Sequence, residues 1–423
     1  QEGSLTLGDG GRIGDAETGS GMFAAGRIVL GDGGAITLGD QAVLGSLTSE
    51  GSGVVIAGGL TAGSGGQVGD ITGSGAIEFD EITLGASASM GDLLSHHGDI
   101  NLDGAITLES APGGDGATIG SITASEGSFT QSGDFAFGSG AAVGAISTAG
   151  DIRFEADGDL LLGSGATLAS VTSVSGDIEF EGDIVIGSGA SIGAVSAEKG
   201  VVFDNDVTLQ LNAGLAKDVS IDGGSGGVSF NDPLSLSEGA VVGDVIGSGA
   251  ISFDAINGSG NGQIGAITSH ASGIGQFGDL TLGSGGLIGA IEGSGNILLL
   301  DGSTGELSLG SGASIASVTS GPGSVTVEGS GVLASGASIG MISADEGVTF
   351  SGSMELKAGA DIATGSSIDG GSGGVTFADT LTLLVNSAVG DIEASGAILF
   401  ENVVDTGNGA SIGAVSSFAS GIT

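Results

Sequence analysis

The sequence predicts an all-β chain wound as a single-stranded parallel β-helix, a β-solenoid with three short strands in each turn, and three observations predict it. A unit of about 24 residues recurs from end to end, apolar residues alternate in short runs, and Gly-Ser-Gly punctuates those runs. The clearest copy is residues 176–199, GDIEFEGDIVIGSGASIGAVSAEK. In its first run Ile178 and Phe180 share one face, while Asp177, Glu179 and Glu181 take the other. The second run, DIVIG from Asp183, repeats this with Ile184 and Ile186, and the third supplies Ile192 and Val195 with Gly193 between them. No unit of this size closes a core alone, so each must stack on its neighbours.

In chain order, units open on a glycine at the head of the first run. The fourteen intervals from Gly53 to Gly396 average about 24.5 residues, inside the range of stacked-repeat architectures. One more opening, Gly21, heads the longest unit, with its repeated LGDGGAITLGD segment. This spacing predicts three strands of about five residues per turn, about 16–17 turns, and at roughly 4.8 Å per turn a rod of about 75–80 Å. Short insertions after Gly98 (ESAPGGDG) and Gly295 (DGSTGE) are expected to form corner loops.

Composition agrees with one architecture throughout. No Pro-rich linker or charge block divides the 423 residues, so 1–423 is expected to be one continuous solenoid. With 92 Gly and only 3 Pro, the chain is not collagen-like, and the regular Ile, Val, Leu and Phe spacing argues against disorder. Fifty acidic residues against six Lys and Arg give a net charge of −44, so nucleic acid is not an expected partner. There is no Cys, which removes disulfides and thiolate metal sites. No apolar run reaches the roughly 18 residues of a membrane span, and membrane insertion is not expected.

The aromatic positions fix the register. Phe79, Phe154, Phe180, Phe230, Phe253, Phe377 and Phe400 fall at the fifth position of their units, with Phe203 and Phe350 one earlier. A continuous stack of rings inside the solenoid is therefore expected. Arg153 falls where Glu179 falls one unit later, which predicts an ion pair between turns. Outward threonines recur in the second strand (Thr6, Thr37, Thr83, Thr107, Thr208, Thr281), one residue wide and interrupted, short of a flat ice-binding array.

Candidate chemistry is sparse. Outward carboxylates at Asp177, Glu179, Glu181 and Asp183, and Asp115 in the GGDG loop, are the only calcium candidates, and calcium is the only cofactor the sequence leaves room for. The tandem GGxGxD repeat of calcium β-rolls is missing, and a solvated acidic surface is the preferred expectation. His96, His97 and His270 are not spaced as metal ligands. With no Trp or Tyr and six basic residues (Arg12, Arg27, Arg153, Lys199, Lys217, Lys357), the chain lacks the groups that glycan-cleaving solenoids use, and no enzymatic activity is expected. Few tryptic sites and dense strand pairing predict durability.

The two ends complement each other. Residues 421–423 are the first three of a new unit, and residues 1–20 lack that opening. Joined tail to head they read GITQEGSLTLGDGGRIGDAETGS, a complete unit like the one opening at Gly273. This predicts a head-to-tail interface of Gln1, Leu5, Leu7 and Ile13 against Ile398, Phe400, Ile412, Val415, Ile422 and Thr423. A contact between different surfaces does not close on itself and builds a filament.

Units of the form GDIxFxGDITLGSGAxI resemble the repeats of bacterial filamentous-haemagglutinin-type adhesins and of autotransporter passenger regions. The resemblance implies a right-handed helix displayed outside a bacterial cell, with contact to a surface glycan or the cell envelope. The function expected is an extracellular structural subunit that assembles with itself into a fibre or sheath; the alternative is the shaft of a longer surface adhesin.

Overall fold

The computed structural model describes residues 5–13, 22–24, 28–30, 34–111, 115–276, 278–300, 305–405 and 407–423. It is a parallel β-solenoid of about 24 residues per turn and about 15 turns, with three strands per turn and no helix among the described residues. The Gly21 opening, part of the larger turn count expected from sequence, lies outside the described residues, as do Gln1 and Arg27.

The turn at residues 177–197 displays the logic. Asp177–Phe180, Ile184–Ile186 and Ser191–Ala197 form its first, second and third faces. Alternation buries Ile178, Phe180, Ile184, Ile186, Ile192 and Val195 and turns Asp177 outward. Each strand pairs in parallel with its equivalent one turn away, residue for residue: Ile152 with Ile178, Phe154 with Phe180, and Phe180 with Phe203. The strands differ in length from the five residues expected. First and second faces hold mostly three, because two or three residues suffice for the corner between them, and the third face commonly holds seven.

The chain forms two compact units, residues 1–219 and 220–423. In the first, rings stack at Phe154–Phe180 (centroids 4.8 Å, planes 10° apart) and Phe180–Phe203 (5.1 Å, 2°). In the second, they stack at Phe230–Phe253, and again at Phe350–Phe377 and Phe377–Phe400, all at 4.7–5.2 Å. The column is thus a set of short runs, which corrects the expected continuous stack. Leu102 follows Phe79 in register, Gln131 precedes Phe154, and Gln276 follows Phe253.

Two corners use glycine for different reasons. Between second and third faces one residue per turn is left-handed: Gly65, Gly140, Gly165 and Gly189 have φ of 64–69°. Gln41, Ser87, Asn212 and Asn386 hold the same conformation at φ of 55–59° with a side chain attached. Elsewhere, inside a third-face strand or at the corner between first and second faces, the constraint is the neighbouring turn. A Cβ on Gly193 would overlap the Ala169 carbonyl, and one on Gly182 the Gly158 carbonyl.

One third-face strand in each unit departs from the regular pattern, Gly214–Asp222 mainly in the first and Asp361–Asp369 in the second. In the latter, Ile362 pairs with Ile339 but Ile368 with Ile342, so three extra residues bulge outward.

Candidate functional site

The acidic residues are placed by their backbone duties. Asp134 accepts the backbone N–H of Asp159 (3.1 Å), and Asp159 accepts that of Asp183 (3.1 Å). Asp9 does the same for Asp40 and Asp40 for Ser64, while Asp70 serves Asp92 and Asp92 serves Ser121. In the second unit Asp244, Asp279 and Asp391 accept the N–H groups of Ala266, Glu306 and Ala414 at 2.8–2.9 Å. Corners interrupt the strand ladder, and there a carboxylate supplies the acceptor that the next turn's N–H lacks.

This explains the recurring Gly-Asp pair. A Cβ on Gly176 would overlap the Asp151 carboxylate, as one on Gly91 would overlap that of Asp70 and one on Gly413 that of Asp391. The glycine makes room for the acid of the turn before; the acid then caps the residue after the glycine. The expected solvated acidic surface is therefore in part a scaffold. Sequence reading missed this because the capped residue varies among Asp, Ser, Ala and Glu and the contact lies one turn away.

A second ladder went unread. Ser95, Thr148, Ser173, Ser269 and Ser320 are buried at the end of the third face. The Ser173 hydroxyl donates to the Gly150 carbonyl (2.8 Å) and accepts from the Gly176 N–H (2.9 Å). Ser95 treats Gly75 and Gly98 alike. A small polar residue that recurs at the last corner of several units is the signal that could have found it.

The expected ion pair forms. Arg153 lies opposite Glu179 in register, its Nη2 bonds Glu179 Oε2, and its Nη1 lies 3.3 Å from Glu181 Oε1. Partial burial raises the Glu179 pKa above the usual carboxylate value; Arg153 opposes this, and Glu181 and Asp204 add to it. Of the calcium candidates, Asp177 and Asp183 donate their backbone N–H groups to Asp151 and Asp159 of the preceding turn, Glu181 Oε2 accepts the Ala156 N–H (3.2 Å), and Asp115 is exposed. Among the described residues no three His, Asp or Glu side chains converge as a metal site. His97 Nδ1 lies 2.8 Å from Glu126 Oε2 on the surface.

The outward threonines run further than the sequence reading found. Thr6, Thr37, Thr61, Thr83 and Thr107 stand in unbroken register over five turns, Thr61 being the missed member, until Ala136 ends the run. The column remains one residue wide.

The interface residues lie on two sets of strands. Leu5–Leu7 pairs with Ile36–Leu38 on the second face, and Arg12–Ile13 with Val43–Leu44 on the third. Leu5, Leu7 and Ile13 are half-buried. In the final turn, Phe400, Ile412 and Val415 are also half-buried, and Ile422 and Phe418 are 53% and 73% exposed. Ile398 is already fully buried: Ile422 bridges to it in parallel, and Thr423 donates to its carbonyl (2.9 Å).

No helix among the described residues is long and apolar enough to cross a membrane. Comparison of the chain with family models, curated proteins and solved structures finds no match.

Proposed function

We propose that this chain is an extracellular structural protein, an acidic β-solenoid subunit that joins end to end with its own kind into a fibre or sheath and performs no catalysis. The observation that carries the reading is the final turn. Its apolar side chains are half-covered, and residues 421–423 begin a first-face strand on Ile398. Leu5–Leu7 and Arg12–Ile13 hold second-face and third-face positions. The two sets together make one turn, so a second copy can cover the exposed rung with ordinary strand pairing. The repeat resemblance to haemagglutinin-type and autotransporter passenger proteins supports display on a bacterial surface.

The same bridge from Ile422 to Ile398 favours a second reading, the shaft of a longer adhesin in which further chain continues the ladder. Negative-stain electron microscopy of the purified protein, with and without a calcium chelator, tests both. Long thin fibres with an axial repeat of roughly 75–80 Å are expected. Loss of fibres in chelator would place calcium at the joint. Single rods unchanged at high concentration would sink end-to-end assembly and leave the shaft.

A further inference from the structure

The two irregular strands share one frame. Residues 220–228 and 367–375 both read SIDGGSGGV, and each follows a buried Ala with positive φ, Ala216 (51°) and Ala363 (54°). Between alanine and frame stand three residues that differ completely: Lys217, Asp218 and Val219 in one, Thr364, Gly365 and Ser366 in the other. The first trio is exposed, with Val219 at 46%, and it places one of only six basic side chains beside an exposed apolar one. The second trio is small, and it borders a groove on the third face lined also by Met341, Asp391, Glu393 and Ile412. Met341 is 41% exposed, and Asp391 and Glu393 are exposed acids.

We propose that this groove is a docking site for the Lys217–Val219 bulge of a second copy of the chain, a side-to-side contact that adjoins the end-to-end joint at Ile412 but uses Lys217, Val219, Met341 and Glu393, which the joint does not. Lys217 would face Asp391 and Glu393, and Val219 would cover Met341. Charge selects the occupant. On a surface with 50 acids, another copy's exterior is repelled almost everywhere, and a bulge that offsets its one acid, Asp218, with Lys217 and adds the exposed Val219 is a part that an acidic groove with a methionine accepts. The shared frame supports the pairing: one bulge carries larger side chains and the other only small ones.

Sedimentation velocity on the full chain across a concentration series tests this, with Lys217→Glu, Glu393→Lys, the double reversal, and Lys199→Glu as a charge control at an exposed corner. Glu393 is used because its carboxylate, unlike that of Asp391, caps no backbone N–H in the structure. In wild type the side-to-side part of the association should weaken as salt rises, while the end-to-end part does not. Each single reversal should weaken association about tenfold, the double reversal should restore it, and Lys199→Glu should match wild type. Far-ultraviolet melting curves verify that the variants fold. Single reversals that associate as wild type does, a double reversal that fails to recover, or a wild type that stays monomeric would each overturn the proposal. Fibres seen by microscopy in the Lys217→Glu variant separate this contact from the end-to-end joint, which does not use Lys217.

Discussion

At the scale of single residues, side chains here act mainly on the backbone of the adjacent turn. Asp159 both caps Asp183 and receives support from Asp134. Asp159→Ala should therefore cost about 1–2 kcal/mol, while Asp159→Asn should retain most of the stability; equal losses in chemical denaturation would show that the carboxylate matters only as charge. Strain predicts the opposite sign at Gln41, which is left-handed at φ 55° where most turns have glycine. Gln41→Gly should stabilise by about 1 kcal/mol, read as a raised melting temperature. Glu179 gives the pH dependence. Its pKa is raised in the fold, chiefly by burial, so the folded state holds that proton more tightly than the unfolded chain. Its contribution is stabilising below the unfolded pKa and is lost as pH rises through the raised folded value. Glu179→Gln should remove that part of the dependence, visible when wild type and variant are melted side by side across about pH 3–7.

At the scale of strands and corners, glycine has two separable jobs within one turn. Gly189 is left-handed at φ 68° with open space around it, whereas a Cβ on Gly193 would meet the Ala169 carbonyl of the turn before. Gly189→Ala should cost about 1–2 kcal/mol. Gly193→Ala must push two turns apart and should cost more, with weaker amide protection on the strands flanking residues 167–173 and 191–197; the reverse order would mean that backbone strain outweighs turn spacing. The same contrast explains what the sequence made legible. Period, faces and buried columns follow from alternation within one unit, so Ile178, Phe180, Ile184 and Ile186 could be placed from their spacing alone. The Asp caps depend on a partner about 24 residues away, and alternation within a unit carries no sign of it; the serine corners did leave one, the small polar residue that recurs at the last corner of several units. Strand length was overestimated because corner carboxylates such as Glu181 and Asp183 continue the alternation while the chain has already turned. The bulge at Thr364–Ser366 escaped for a related reason: its three extra residues are small and polar, and a Gly-Ser texture already fills every corner.

For the molecule as a whole, charge decides how the two proposed contacts respond to their surroundings. The net charge is −44 and the isoelectric point about 4.1, so copies approaching end to end repel at neutral pH. The end-to-end joint is apolar side chains and strand pairing, and salt acts on it mainly by screening that repulsion, which at 0.15 M already falls off over about 8 Å. Fibres should therefore lengthen as salt rises from about 0.05 to 0.5 M, the range over which the screening length falls most usefully, and also as pH falls toward the isoelectric point. The side-to-side contact of Lys217 with Asp391 and Glu393 is an attraction between opposite charges, and the same salt should weaken it. Light scattering with electron microscopy over one salt series then separates them: side-by-side bundles should fall apart into single fibres while each fibre grows. Fibres that shorten with salt would mean that ion pairs hold the end joint, and the apolar account of the final turn would have to be given up.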